Sequence, residues 1–166
     1  MALRSSDRRS SIARRLVRRD VRDLLRDRSG APAVEFALIA PLLLMMIMGI
    51  IQFSITLNNY IELTEAVRTG ARNLAISRAM SSATPYTTTV ADIGASAGNL
   101  TASSITVTMS VNGTACTTDA TCTTALSTAA GDTATVTASY PCNLTVMGYN
   151  FLPSCTLQSQ TADLVE

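Results

Sequence analysis

Four cysteines and one solitary glutamate are the side chains in this sequence whose type and placement could do chemistry. Cys116, Cys122, Cys142 and Cys155 all fall in the last third of the 166 residues. An even number confined to one segment is the pattern of two disulfides formed in an oxidising compartment. Zinc would need closer C-x-x-C pairs or histidines, and the chain has neither. Of the three connectivities that four cysteines allow, we choose the sequential one, Cys116 with Cys122 and Cys142 with Cys155. The glutamate is Glu35, set beside a long apolar run. A carboxylate moved towards a bilayer centre costs on the order of 2.5–3.5 kcal/mol, so its position needs a reason.

Catalysis finds no other material. Histidine, the usual general base and commonest metal ligand, is absent. There is no nucleophile–base set and no glycine-rich phosphate loop, and carboxylates are few in the last half. The expectation is a protein that is not an enzyme and carries no cofactor or metal.

The elements that must position these residues follow from charge and hydropathy. Ten of the thirteen basic residues lie between Arg4 and Arg28, and eight of the twelve acids lie after Gly30. The near-neutral total therefore describes neither part. Residues 1–30 form a basic leader in which Ile12, Leu16, Val17, Val21, Leu24 and Leu25 recur at roughly helical spacing. Such a segment could lie on an anionic membrane surface or bind nucleic acid. The next segment decides. Phe36 to Leu57 reads FALIAPLLLMMIMGIIQFSITL, without a charge; as a helix it spans about 33 Å, close to the hydrocarbon thickness of a bilayer. Arginines before the span and few positive charges after it set the N-terminus in the cytoplasm and the C-terminus outside. That topology also carries the cysteines to the oxidising side. We therefore expect a membrane partner and no nucleic acid. A cleaved secretory signal would need a shorter apolar core and a small-x-small site, which Asn58-Asn59-Tyr60-Ile61-Glu62 does not offer.

Beyond the span, the helix is expected to continue to about Met80, with Ile61, Ala66, Val67, Ala71, Leu74 and Ala75 as its packing stripe. Glu65, Arg68 and Arg72 would form a solvated face, and Pro85 would close the segment. Residues 31–80 are thus the membrane helix with its extension, and residues 81–166 a β-rich head. There Ile105, Val107, Met109 and Val111 alternate with polar residues. Asn112-Gly113 signals a turn. Further strands are expected over Thr133 to Tyr140 and from Cys155 to about Ala162, and Val90 to Ala97 reads as a short helix or a loop. Cys116 and Cys122 would enclose a small polar loop. Of Tyr149, Phe151 and Leu152, at least two are expected to pack on the sheet. The fold class is α+β: a long N-terminal hydrophobic helix followed by a small antiparallel β head.

The junction Ser29-Gly30-Ala31-Pro32-Ala33-Val34-Glu35-Phe36 carries the identification. A glycine after a basic run, with glutamate five residues on, resembles the cleavage site of a type IV prepilin. The wider run RSGAPAVEFALIAPLLLMMIMGIIQF, with AVRTGARNLA after it, is similar to the TadE-like family, pseudopilins of the tight-adherence (Flp) pilus. The resemblance covers about Arg26 to Ala75 and is weak over the head. It implies a pilin-like fold, a prepilin peptidase cut between Gly30 and Ala31, and assembly roles for Glu35, Phe36 and Pro41. It also implies partners among other pilins or pseudopilins and the Tad assembly machinery. The placement would be the inner membrane, or a pilus outside the cell after assembly. Ala31 rather than a phenylalanine would begin the mature chain, which favours the Tad-type branch. The competing class is an uncleaved single-pass envelope protein whose periplasmic head is an adhesion or protein-binding module.

Overall fold

A computed structural model of the chain describes residues 30–80, 83–146 and 148–166; the basic leader before Gly30 lies outside the described residues. The chain divides into two compact units, Met1–Met46 and Ile47–Glu166.

The first long element is α1 (Ala31–Ile76), 46 residues with Pro41 inside it. Its start needs no elaborate cap. Pro32 falls in the first turn, where a missing N–H is harmless and the ring's fixed φ already suits a helix. Over its apolar stretch almost every side chain is exposed, Leu38 at 76% and Met46 at 61% among them. The most apolar window has no buried residue, and the helix is long and apolar enough to cross a membrane. Two hydroxyls near the end of that stretch are satisfied within the helix. Ser54 Oγ donates to the Ile50 carbonyl at 2.9 Å and Thr56 Oγ1 to that of Gln52 at 3.0 Å. Back-bonded in this way, a hydroxyl can lie in hydrocarbon without losing a partner.

Further along, α1 changes character. Leu63, Ala66, Val67, Ala71 and Leu74 are fully buried, a stripe at three- and four-residue spacing. Ile61, expected in this stripe, is 59% exposed, and Leu63 takes its place. Two residues along a helix is about 200° around its axis, so the two cannot share a face. The helix ends at Ile76, short of Met80, and a turn follows.

The head holds α2 (Pro85–Ser96), a 3₁₀ turn (Ala102–Ser104), β1 (Thr106–Val111), β2 (Thr114–Cys116), α3 (Asp119–Ser127), β3 (Thr133–Pro141), β4 (Thr145–Val146), β5 (Tyr149–Asn150) and β6 (Thr156–Leu164). Strands β2-β1-β3-β6 form one antiparallel sheet in that order, and β4 and β5 pair separately. Asn112 and Gly113 both have positive φ, 49° and 75°, the backbone of a two-residue hairpin turn. Within the sheet Met109 sits opposite Val136 and Val107 opposite Ala138. Alternation places Met109, Val111, Ala134, Val136 and Ala138 on the buried face, in one cluster with the α1 stripe, Ile93, Leu100 and Leu126. No aromatic ring is among the largest fully buried side chains, which are Leu63, Leu74, Ile93 and smaller ones. The core is thin, as the low aromatic content leads one to expect.

Two expectations are corrected here. Pro85 does not merely stop a helix; it begins α2, whose N-terminal turn has no use for the N–H it lacks. Between Cys116, the last residue of β2, and Cys122 the expected loop shrinks to Thr117 and Thr118, and the rest is the first turn of α3. There Thr118 Oγ1 accepts from the Thr121 backbone and Thr121 Oγ1 accepts from that of Thr118, a reciprocal cap built from two threonines.

Candidate assembly and anchoring site

The residues singled out at the junction gather on the first turns of α1, within the unit that ends at Met46. Gly30 is exposed, immediately before the helix begins at Ala31. A side chain at Gly30 would meet nothing within 4 Å. Glu35 is exposed in the second turn and is the sole charged residue between Gly30 and Glu62. Around it Val34 is 62% exposed, Phe36 67% and Ile39 61%. This is a carboxylate set in a greasy surface that no described residue covers. Pro41, also exposed, deprives the carbonyl one turn earlier of its donor. The structure thus brings Gly30, Glu35, Phe36 and Pro41 onto one short stretch of helix.

In the head the cysteines pair Cys116 with Cys122 and Cys142 with Cys155, with Cα separations of 4.8 and 5.1 Å. The first pair ties the edge of the sheet to α3 and is fully buried. The second closes the base of the β4–β5 segment, where the Cys142 N–H also donates to the Cys155 carbonyl at 3.0 Å. The aromatic residues of that segment do not pack on the sheet. Tyr149 is 78% exposed, Phe151 64% and Leu152 52%, because β4 and β5 pair with each other beyond the end of β3 rather than folding back over it.

Two carboxylates that the sequence reading left unremarked hold the head together. Glu62 receives the Asn99 backbone N–H at 3.0 Å, the Asn99 side-chain amide at 2.6 Å and that of Asn58 at 2.8 Å. It fastens the end of α2 to α1. Asp119, at the start of α3, receives the Thr87 hydroxyl at 2.6 Å and the Thr87 N–H at 2.9 Å, tying α3 to α2. Neither could be found from spacing, since the partners lie 37 and 32 residues away. The bonds from the Thr87 side chain and then its backbone hold the Asp119 carboxyl below the usual carboxylate range. A depressed folded-state value contributes stability above the unfolded value, and the contribution disappears as pH falls through the folded one. Thermal melts of the chain between about pH 5 and pH 2 should therefore show a steeper acid loss in the parent than in Asp119→Asn. Equal slopes would mean that this tether does not hold the folded state.

Elsewhere several polar groups are already paired. Arg68 meets Glu65 at 2.9 Å on an exposed face, both side chains 62% exposed, the solvated pairing expected from their spacing. An open groove beside β2 and α3 is lined by Asn112, Thr121, Thr124 and Asp132, but Asn112 already donates to Asp132 at 2.9 Å. Among the described residues no group of three or more histidines, cysteines or acids could hold a metal ion.

Residues 30–72 match the model of a family described as TadE-like protein. The matched segment holds the junction, the apolar stretch and most of the packing stripe of α1, and it is the family to which the junction's sequence resemblance pointed. No curated protein and no solved structure matches the chain.

Proposed function

We propose that this chain, TadE-like over residues 30–72, is a minor pilin or pseudopilin of a Tad-type pilus or secretion apparatus. It is a structural and assembly subunit, not an enzyme. In this reading α1 crosses the inner membrane, the arginine-rich leader stays in the cytoplasm and the disulfide-bonded head lies outside. A prepilin peptidase hydrolyses the Gly30–Ala31 bond, which leaves a carboxylate on Gly30 and a new ammonium on Ala31. The cut removes all ten leader arginines.

The observation that carries this reading is the isolation of Glu35. One carboxylate, one helical turn past the proposed cut, stands on an otherwise apolar and uncovered helix surface. While the helix is alone in the membrane, both Ala31 and Glu35 can remain at the water interface. When helices pack side by side both are desolvated, and pairing between neighbouring subunits becomes the favourable arrangement. Glu35 then fixes the axial register of one subunit on the next. Phe36 supplies apolar surface beside it, and Pro41 loosens the helix where it must leave lipid and pack.

Mass-spectrometric mapping of the N-terminus from cells with an active apparatus tests the cut. We expect Ala31 as the mature terminus, and retention of the leader in Gly30→Val. An intact Met1 form in those cells would instead favour the uncleaved envelope anchor with a periplasmic binding head, and unchanged processing in Gly30→Val would refute the proposed cut.

A further inference from the structure

The exposed residues of the Cys142–Cys155 segment lie at a definite end of the head. The Thr133 end of β3 pairs with Leu164, the adjoining Val165 N–H donates to the Asp132 carbonyl at 2.8 Å, and the Glu166 N–H reaches the Ala75 carbonyl at 3.3 Å. That end of the sheet therefore sits beside the last turn of α1. The opposite end sits by the earlier turns. α2 runs back along α1 from the Asn73–Asp92 bond of 2.8 Å to the Asn99–Glu62 bonds. The chain then enters β1 at Thr106, opposite Ser139. β3 continues past Ser139 to Pro141, and β4 and β5 lie beyond that point.

Distances agree with this order. From Thr133 to Pro141 a strand covers about 26 Å, and from Ala75 back to Leu57 the helix covers about 27 Å. A strand running along the helix thus ends near the level at which the uncharged stretch ends. Tyr149, Phe151 and Leu152, in the segment that follows that end of β3, are 78, 64 and 52% exposed. Their exposure is not slack. The disulfide closes the base, the Phe151 N–H donates to the Leu144 carbonyl at 3.0 Å, and the Leu152 N–H to Asn150 Oδ1 at 3.1 Å. No charged residue lies between Cys142 and Cys155, so nothing there resists a weakly polar environment. Tyrosine suits the headgroup layer in particular, with a ring that prefers hydrocarbon and a hydroxyl that keeps water.

We infer that the Cys142–Cys155 segment is a second membrane contact: Tyr149, Phe151 and Leu152 dip into the outer interfacial layer of the bilayer from which α1 emerges. The contact sets the head's tilt and height over the membrane while the subunit is unassembled. It rests on the reading that α1 spans a membrane, and its occupant is a neutral lipid surface, since the segment offers no cation for an anionic headgroup.

The chain has no tryptophan, so single replacements report locally. The full chain, reconstituted in phosphatidylcholine vesicles with a fraction of brominated acyl chains, would be compared as Phe151→Trp, Leu164→Trp and Phe53→Trp. Phe53 lies in the apolar stretch and Leu164, 62% exposed, at the far end of the sheet. We expect Phe53→Trp to be strongly quenched, Phe151→Trp to be blue-shifted and quenched at least twofold by shallow bromines, and Leu164→Trp to be unaffected. Quenching at Phe53 without quenching at Phe151 would overturn the contact while leaving the span intact. Quenching at neither overturns both. A blue shift at Phe151 that requires high protein density and ignores bromine would identify a second copy as the cover and overturn it equally. Tyr149→Trp repeats the reading from the neighbouring strand.

Discussion

Glu35→Gln should be processed like the parent at Gly30–Ala31 and yet fall out of assembled material by on the order of a hundredfold. Glutamine keeps the size and the hydrogen bonds of the side chain and removes only the charge. The proposed cut falls where the helix would meet water, and there a neutral amide is no obstacle. Incorporation differs. An ammonium at Ala31 buried against glutamine has lost its counter-ion, and breaking one side of a buried pair costs about 3–5 kcal/mol. At about 1.4 kcal/mol per factor of ten, the lower bound already gives two decades. The measurement is the ratio of processed subunit in sheared or detergent-resistant assemblies to that in the membrane. Parent-like incorporation would show that Glu35 only marks the interface. Glu35→Asp should be intermediate, since the charge remains and the reach is shorter.

The second large effect belongs to the head. Gly70→Val should lower its melting temperature by roughly 10 °C, about 3 kcal/mol for a unit of this size. A Cβ at Gly70 would lie 2.5 Å from Ile93 Cγ1 and 2.7 Å from its Cδ1. Cγ1 is not the far end of a flexible chain, so α2 must move away from α1. Movement weakens the Asn73–Asp92 and Glu62–Asn99 bonds that bracket the contact. Better helix propensity offsets only part of this, about 1 kcal/mol even for alanine. Adding Ile93→Ala to Gly70→Val should restore part of the loss, because the clash is with that side chain. Thermal unfolding in detergent micelles reads both. A higher melting temperature for Gly70→Val alone would mean that the helices do not approach so closely.

This second effect bears on how the head is built. Gly70 belongs to the AVRTGARNLA segment by which the sequence resembles the TadE-like family, and the family match extends to residue 72. Its lack of a side chain is what allows α2 to lie against α1. Thr89, also beside it, is fully buried with its hydroxyl unpartnered, so Thr89→Val would remove an unsatisfied group without enlarging the contact.

What the sequence determined by itself is local or periodic. The uncharged run gives the apolar helix, because hydrogen bonds within one segment and a length near 33 Å are all that a span requires. Alternation over Ile105 to Val111 gives β1, and Asn112-Gly113 gives its turn, because positive φ is a property of those two residues. The junction at Gly30 and the isolation of Glu35 are visible in the order of residues alone. Tertiary structure decided the rest. The Glu62 and Asp119 clamps depend on partners more than 30 residues away, and no local pattern announces them. The Thr118–Thr121 cap was legible in type but hidden in a threonine-rich stretch, where every third residue could serve. The fate of Tyr149, Phe151 and Leu152 was decided by where β3 ends. Hydrophobicity makes burial favourable, but only the placement of strand ends determines whether a surface is within reach. Here β4 and β5 follow the end of β3 and pair with each other rather than with the sheet.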